Sequence, residues 1–393
     1  MPLSCDADYF SYLYTCNRCR SCAVGPTPEM KPVCPSYARF GFFTYSGGGK
    51  GYVAQGILEG MIKPSPAAAE IAMNCLLCCA CASTCPPRFD TRAFIRDLRD
   101  HLAGKGFTLN RRHRALLEQA RRGRLWQGQA KGGRTTLSAK ECQAPAFTGD
   151  QEVLVFAGCR EAARGELVSS LAAIFTAAGI SWGVLENEPC CGAPLLDLGD
   201  REAFTQAAGR NIALLNGCGA RRVLAICPHC TATLAGDYLD AGDLEPEILS
   251  LPRFLAEILG DGRLMLAPGK PLRATFHDPC RLSRYLEEED EPRAVLQHLD
   301  GVEVVEMGRN RKNAWCCGSG AWAAEIVPAL ARFAARERLA EASSTGAEAV
   351  VTACSYCTDW LGKASRGKNR VVHLVDLVAE RLNARNDTQG RLP

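Results

Sequence analysis

The triplet Cys316-Cys317-Gly318 decides the fold assignment for the second half of this chain. Neighbouring side chains on a regular element point in different directions, so two adjacent cysteines indicate a pair of metal-binding thiolates. The same triplet occurs at Cys190-Cys191-Gly192, and each pair follows a single cysteine and precedes a Cys-x-x-Cys motif. The first set is Cys159, Cys190, Cys191, Cys227 and Cys230, and the second set is Cys280, Cys316, Cys317, Cys354 and Cys357.

The sequence around these two sets is duplicated and predicts two α/β units. Apolar runs at 153–157 and 273–277 end close to the single cysteines, and runs at 222–226 and 349–353 lead into the Cys-x-x-Cys motifs. With a further run at 180–185, they alternate with helical stretches, which predicts parallel sheets. The predicted helices cover 161–178, 201–216 and 323–342. The cysteines then fall at strand ends and helix starts, the usual ligand positions in open α/β folds.

The first third of the chain carries two tighter cysteine motifs. Each is a Cys-x-x-Cys-x-x-Cys triplet, one starting at Cys16 and one at Cys75, and each has a later Cys-Pro. Such a triplet supplies three ligands of a cubane [4Fe–4S] cluster, and in two-cluster ferredoxins the cysteine before proline binds the other cluster. We therefore predict two crossed sites: Cys16, Cys19 and Cys22 with Cys85, and Cys75, Cys78 and Cys81 with Cys34.

Structural zinc is the alternative for all of these cysteines. Zinc sites usually combine two Cys-x-x-Cys pairs and not a triplet with a trailing Cys-Pro. In each five-cysteine set, a tetrahedral all-thiolate zinc site would leave one cysteine over. Five thiolates suit an iron–sulfur assembly larger than one ordinary cubane, and metal content separates the two interpretations.

The bulk composition fits a metalloprotein in a reducing compartment. Cysteine accounts for 22 of the 393 residues, but a chain of this length does not need disulfides, and no signal-peptide pattern is visible at its start. The net charge of +3 and the lack of a basic, aromatic tract argue against nucleic acid as a partner. The charge-free stretch 167–185 is interrupted by Ser, Thr and Gly, so it predicts a buried helix and strand and not a membrane span.

The rest of the N-terminal third predicts a mostly helical domain. Helices are expected at 53–62, 66–73 and 90–102. The glycine-rich stretch 46–51 between the triplets is expected to be a flexible connector. Arginines crowd the segment 111–124, which predicts a solvated helix face or a dock for an acidic partner subunit or a membrane surface. The composition of 123–150 is that of a linker.

The two five-cysteine sets resemble the CCG cysteine-rich domain. With the ferredoxin-like front end, the chain from Cys16 to Leu382 resembles the catalytic subunit of heterodisulfide reductase, and His277-Asp-Pro-Cys280-Arg-Leu-Ser-Arg284 is similar to that family's second repeat. It is also similar to iron–sulfur subunits of anaerobic glycerol-3-phosphate dehydrogenase and glycolate oxidase. The implied fold is an α+β multidomain arrangement with a helical ferredoxin-like domain carrying two [4Fe–4S] clusters and a duplicated α/β CCG domain. The implied boundaries are 1–122 for the ferredoxin-like domain, 123–150 for the linker, 151–265 for the first CCG domain and 266–393 for the second.

The resemblance also implies cofactors and site residues. Each five-cysteine set would bind a noncubane [4Fe–4S] cluster as catalytic ligands, beside the two cubane clusters, and a disulfide substrate would lie between the sets. The run from Gly318 to Trp322 departs from the family's glycine run, and Trp322 is expected to narrow the cavity. Ser355 replaces the family's usual proline after Cys354. His277 and Asp278, beside Cys280, are candidates for proton delivery.

Two functions compete at this point. The first is an electron-transfer subunit of a multisubunit oxidoreductase that performs thiol–disulfide chemistry. The alternative is a pure electron conduit between a flavoprotein dehydrogenase and a quinone or partner subunit. The chain has no flavin or nicotinamide fingerprint, so we expect a flavin-containing or other redox partner subunit, and a membrane quinone-reactive subunit or a small thiol or disulfide as further partners. The expected location is cytoplasmic, or peripheral to a membrane through partner subunits.

Overall fold

The computed structural model describes residues 15–25, 31–123, 125 and 144–389, without the side chains of 162–164 and 383–389. Most of the predicted linker, including Cys142, lies outside these residues. In the described part no helix has the length and apolarity that a membrane crossing requires.

Two parallel four-stranded sheets form the second and larger part of the molecule. Their strand orders are β2-β1-β3-β4 and β6-β5-β7-β8, so the two sheets have the same topology. In the central pairs Val155 lies opposite Leu224, and Phe276 lies opposite Val351. The strands are β1 Val153–Phe156, β2 Trp182–Val184, β3 Arg222–Ala225, β4 Glu247–Ser250, β5 Leu272–His277, β6 Val302–Val304, β7 Ala349–Thr352 and β8 Arg370–His373. The predicted duplicated, parallel α/β architecture is confirmed.

Helices cover these sheets and make up most of the regular structure before them. Those of the N-terminal part are α1 Pro35–Phe40, α2 Gly47–Leu58, α3 Pro66–Met73, α4 Ala80–Ser83, α5 Thr91–Gly104 and α6 Arg111–Arg121. Those of the first repeat are α7 Gly158–Arg164, α8 Glu166–Ala178, α9 Ala193–Leu198, α10 Arg201–Gly217, α11 Pro228–Ala235 and α12 Leu251–Gly260. Those of the second repeat are α13 Glu291–Gln297, α14 Ala323–Ile326, α15 Pro328–Ser344, α16 Ser355–Ser365 and α17 Leu374–Gln389. A π-helix spans Arg281–Leu286.

The glycine-rich stretch 46–51 is not the flexible connector that its composition predicts. It is the first turn of α2, where the Ser46 hydroxyl accepts a hydrogen bond from the Gly49 backbone N–H. A Cβ atom at Gly49 would lie 2.0 Å from the Phe43 carbonyl oxygen, so glycine allows the helix to pack against that turn. Lys50 is buried and donates hydrogen bonds to the Tyr45 carbonyl and the Ser36 hydroxyl. The helix predicted over 53–62 therefore starts earlier and ends at Leu58.

Two predicted helices are each divided in the structure. The helix expected over 161–178 is interrupted at Gly165, whose φ of 74° ends α7 in the left-handed region. The helix expected over 323–342 is interrupted at Val327, because Pro328 disfavours helical geometry in the residue before it. Both breaks allow a short helix beside the cysteines to turn away from the long helix that covers the sheet.

A buried charge network joins the N-terminal part to both repeats. The carboxylate of Asp197, on α9, lies 2.8 Å from the Arg96 guanidinium of α5 and 2.8 Å from that of Arg281 in the second repeat. Arg96 also lies 2.8 Å from Asp237, and Arg99 donates to the Asp197 carbonyl. The arginines around Asp197 hold the pKa of its carboxyl well below the usual range despite its burial. This network fixes the positions of the three parts relative to one another.

Candidate metal centres

The first set gathers at the carboxyl end of the first sheet. Cys159 lies in α7 after β1, the Cys190–Cys191 pair precedes α9, and Cys227 caps α11, which contains Cys230. The Cys159 and Cys190 sulfurs are 3.7 Å apart, and further thiol contacts join Cys190 to Cys191, Cys191 to Cys230 and Cys230 to Cys227. The five thiols therefore form one connected group, as the repeated spacing indicates.

The backbone around the first set is shaped to leave room for these sulfurs. A Cβ atom at Gly158, whose φ is 74°, would lie 2.7 Å from the Cys230 sulfur. Buried Glu188 accepts hydrogen bonds from the backbone N–H groups of Ala157 and Gly158, and burial raises the pKa of its carboxyl to about 8. These contacts hold the turn from β1 into α7, which carries Cys159.

The second set occupies the corresponding end of the second sheet and is more deeply buried. Its five cysteines are each at most 8% exposed, whereas Cys159 and Cys190 of the first set are partly exposed. The Cys317 and Cys357 sulfurs are 3.3 Å apart, and Cys316 contacts both Cys280 and Cys317. The His277 imidazole joins this group, because one of its ring nitrogens and the Cys317 and Cys357 sulfurs all lie within 4.8 Å of one another.

The side chains of His277 and Asp278 have structural partners. Nδ1 of His277 accepts a hydrogen bond from Arg338 at 2.9 Å. The Asp278 carboxylate pairs with Arg293 at 2.7 Å and accepts a hydrogen bond from the Arg311 backbone N–H. Asp278 is thus engaged away from the thiols, and of the two only His277 contacts a cysteine of the set.

The structure brings Cys34 together with the second N-terminal triplet. One small cavity of about 20 Å³ is lined by Cys34, Cys75, Cys78 and Cys81. A Cβ atom at Gly47 would lie 2.9 Å from the Cys81 sulfur, so the first turn of α2 leaves space at this cavity. Cys79, off the triplet spacing, also lines it. The ligand set of this site remains a prediction, but its four thiols are neighbours.

The first triplet lies nearer the surface, beside Cys85. Cys19, Cys16 and Cys22 are the cysteines near Cys85, and the crossed ligand set of this site stays a prediction. The Cys22 sulfur accepts a hydrogen bond from the Gly48 backbone N–H at 3.2 Å, and Cys19 is exposed. This group is therefore the more accessible of the two N-terminal groups.

Two contacts join three of the four cysteine groups into a series. The Cys78 thiol is a close neighbour of the Cys316 thiol, which connects the second triplet to the second set. The His229 imidazole contacts Cys227 of the first set and Cys354 of the second. Burial opposes protonation of His229, but the bonds to these two thiols raise its pKa to about 10.

A cavity of about 130 Å³ lies between the two repeats over the first set. Four cysteines of the first set line it, and from the second repeat Trp322, Tyr356 and Trp360 contribute aromatic walls. Trp322 is thus a wall of this cavity, as expected from its departure from the glycine run. Arg160 lies at the cavity, with its guanidinium 4.0 Å from the centre of the Tyr356 ring and paired with Asp359.

The donor chemistry of the four groups fits iron–sulfur clusters. Within the described ranges the cysteines are free thiols and none forms a disulfide. Thiolate is the ligand that such clusters use, and each group offers at least four. The glycines that face sulfur atoms at positions 47, 48 and 158 provide space that a side chain would fill.

The sequence did not indicate three residues that these groups depend on. From the sequence, His229 is interpreted as a structural histidine, but the structure places it between the two sets. Glu188 and Arg284 hold cysteine-bearing turns through backbone groups. The signal available for Arg284 is its place four residues after Cys280, but the contacts that give it a role come from other parts of the chain.

Comparison with known proteins gives the same cysteine-rich units. The family model described as CCG, cysteine-rich domain, matches residues 153–235 and 274–362. A dihydromethanophenazine:CoB–CoM heterodisulfide reductase subunit from Methanosarcina mazei is 31% identical over 241 residues, which cover 59% of this chain and 59% of that protein. The subunit of the same name from Methanosarcina barkeri is 27% identical over 320 residues, covering 79% of this chain and 77% of the relative. The chain thus spans little more than half of the first relative's length.

One solved structure shows the likeness of fold. A hypothetical protein from Helicobacter pylori superposes with a TM-score of 0.57 at 11% identity, over 86% of this chain and 68% of that one. The resemblance to the heterodisulfide reductase family is confirmed by the two domain matches and the similar relatives.

Proposed function

From the premise that this chain carries the CCG cysteine-rich domain twice, we propose that it is an electron-transfer subunit of a multisubunit oxidoreductase that reduces or forms a small disulfide. Two cubane clusters are assigned to the N-terminal cysteines, one on Cys16, Cys19, Cys22 and Cys85 and one on Cys34, Cys75, Cys78 and Cys81. Two noncubane [4Fe–4S] clusters are assigned to the first and second sets. When bound, these clusters would supply single-electron transfer.

The observation that carries this proposal is a series of neighbouring cysteine groups. The two N-terminal groups lie on either side of the first turn of α2, where Gly48 faces the Cys22 sulfur and Gly47 faces the Cys81 sulfur. From the second of these groups the series runs through Cys78 to Cys316, and from Cys354 through His229 to Cys227 at the cavity. The accessible N-terminal group lies at one end and a solvent-connected cavity at the other. An electron that enters near Cys19 therefore has a route of adjacent groups to the cavity.

The cavity residues support disulfide chemistry at the first set. Reduction of R–S–S–R′ breaks one sulfur–sulfur bond, takes up two electrons and two protons, and yields two thiols. The electrons come one at a time from a reduced flavin-containing or iron–sulfur partner subunit. Tyr356, Trp322 and Trp360 form aromatic walls of the cavity, and the first-set cysteines line it where the sulfurs of a disulfide would lie.

The outer surface beside this cavity favours a negatively charged substrate. A cleft of about 220 Å³ shares Trp360 and Lys363 with the cavity and is lined by four cations and no carboxylate: Arg332, Arg336, Lys363 and Arg366. Anionic groups remote from the disulfide would be held there, since several cations facing one cleft attract anions. An Arg332→Gln and Arg336→Gln double variant should raise KM for an anionic disulfide more than for a neutral one, and equal changes would contradict this preference.

The second candidate is a pure conduit between a flavoprotein dehydrogenase and a quinone or partner subunit. Trp322 favours it, because this side chain narrows the cavity in which a substrate would have to bind. The conduit uses the same series of cysteine groups and needs no substrate at the first set.

Anaerobic iron and sulfide content with electron paramagnetic resonance tests the proposal. Four clusters require about sixteen irons per chain. On adding the oxidised thiol, the wild type should give a new paramagnetic signal that Cys190→Ala lacks. A full iron content with no response to thiol or disulfide would support the conduit function instead. Zinc in place of iron would contradict both functions.

A further inference from the structure

The π-helix after Cys280 connects the second set to the N-terminal cysteines. Nε of Arg284 donates a hydrogen bond to the Cys78 carbonyl oxygen at 2.5 Å, and Nη1 donates to the carbonyls of Lys312 and Ala314 at 3.0 and 2.8 Å. The Tyr285 hydroxyl donates to the Leu77 carbonyl at 2.5 Å. One short segment therefore contacts both the Cys75–Cys81 loop and the approach to Cys316.

Arg284 is a partly buried arginine with no acidic partner among the described residues. Arg96 and Arg281, by contrast, pair with Asp197. Arg99 also bonds only to carbonyl oxygens, but all three of its guanidinium nitrogens have such a partner. Nη2 of Arg284 is buried without a hydrogen-bond partner. The full charge of the Arg284 guanidinium is thus left to act on what surrounds it.

The surroundings of this charge are thiols from two different cysteine groups. Arg284 lies near the thiols of Cys78, Cys280 and Cys316. The first of these belongs to the N-terminal group with Cys34, and the other two belong to the second set. Arginine remains charged at any pH that the protein would meet. A fixed cation in a buried site stabilises a nearby group more strongly as that group becomes more negative, since the interior screens charge weakly.

We propose that Arg284 is a positioning residue that raises the reduction potentials of both neighbouring iron–sulfur sites and so couples them for electron transfer. This rests on the cluster assignment of the proposed function but not on its substrate. Each site becomes more negative by one charge when it accepts one electron, and the guanidinium offsets that charge in both. No bond forms or breaks in this step, and the electron comes from the reduced partner subunit.

The test is an anaerobic redox titration of the iron-loaded full chain, followed by electron paramagnetic resonance. Arg284→Gln removes the charge, and Arg284→Lys keeps it with fewer hydrogen bonds. Tyr285→Phe removes a hydrogen bond from the same π-helix to the same loop without changing charge. Arg222→Gln removes a charge from the partly exposed end of β3, paired with Glu257, and controls for net charge.

We expect Arg284→Gln to lower both potentials by at least 59 mV, a tenfold change in the one-electron equilibrium constant. Arg284→Lys, Tyr285→Phe and Arg222→Gln should stay within a third of that shift. Unchanged potentials in Arg284→Gln with full iron would overturn the proposal. So would equal shifts in Arg284→Gln and Tyr285→Phe, or loss of iron from both Arg284 variants, because either result would assign a purely structural role. If Arg284→Gln alone loses its iron, the test passes to Arg284→Lys. Wild-type potentials in that variant would support the role of the charge, and shifted potentials would overturn the proposal.

The titration separates this inference from the proposed function. If the potentials shift as expected but the protein does not reduce disulfides, the role of Arg284 is supported and the proposed disulfide chemistry is contradicted. If the protein reduces disulfides but the potentials of Arg284→Gln do not shift, the proposed function is supported and the role of Arg284 is contradicted.

Discussion

The two repeats carry the same five cysteines in the same order and on the same strand topology, but their surroundings differ. The second set is buried and contacts the N-terminal domain through Cys78 and Cys316. The first set is partly exposed and lines a cavity of about 130 Å³. The duplicated sequence thus holds two similar sites, and packing against the N-terminal part of the chain has made one of them internal and left the other open. We interpret the internal set as the relay and the open set as the substrate-facing one.

The arginine after each single cysteine shows the same difference on a smaller scale. Arg160 follows Cys159 and reaches Asp359 of the second repeat, and Arg281 follows Cys280 and reaches Asp197 of the first. Each repeat therefore forms an ion pair with the other through the arginine in the corresponding position. The Arg281 pair is buried, whereas the Asp359 side chain is 27% exposed at the cavity side.

Removal of one ligand from each set should have the largest effect. Cys190→Ala and Cys316→Ala should each lose about four irons, a quarter of the total, and lower disulfide turnover by roughly 100-fold or more. They should differ in binding: a disulfide should still perturb the spectrum of Cys316→Ala, because its first set remains, and should leave that of Cys190→Ala unchanged. Cys218→Ala, outside both sets, should keep all its iron. A disulfide response in Cys190→Ala alone would reverse the assignment of the two sets.

The two inter-repeat ion pairs should differ in their contribution to stability. Asp197→Asn leaves the buried charge of Arg281 without its acidic partner and removes one of the two acidic partners of Arg96, so it should lower the free energy of unfolding by about 3–5 kcal/mol. Asp359→Asn lies near solvent and should cost about 1 kcal/mol or less. Anaerobic urea unfolding of the iron-loaded proteins measures both. Equal losses would show that the two repeats hold each other symmetrically.

Thiol accessibility should distinguish the sets more modestly. In the metal-free protein, Cys159 and Cys190 should be alkylated about tenfold faster than Cys316 and Cys317, because the latter react only after local opening. Mass spectrometry of peptides after a short reaction measures the ratio. Equal rates would mean that the open and internal environments do not differ in solution.

The sequence predicts the fold of each repeat well because the signals are local. Runs such as 153–157 and 349–353 are apolar, short and close to cysteines, and each forms a strand of a parallel sheet. The helical character of 46–51 was missed, since glycine composition indicates flexibility and the packing against Phe43 is a tertiary effect. The neighbours of Cys78 and the position of His229 between the sets were also not predictable. Both depend on contacts between residues far apart in the sequence, for which the spacing of a motif carries no information.

The order in which the sites are reduced tests the account most directly. Wild type, Cys190→Ala and Cys316→Ala would be mixed anaerobically with a reduced one-electron donor, frozen after milliseconds to seconds, and followed by electron paramagnetic resonance. The account predicts that the second set of Cys190→Ala is reduced at the wild-type rate. It also predicts that in Cys316→Ala the N-terminal clusters are reduced while the first set stays oxidised over the same period. Reduction of the first set at the wild-type rate in Cys316→Ala would contradict the series through Cys78 and Cys316.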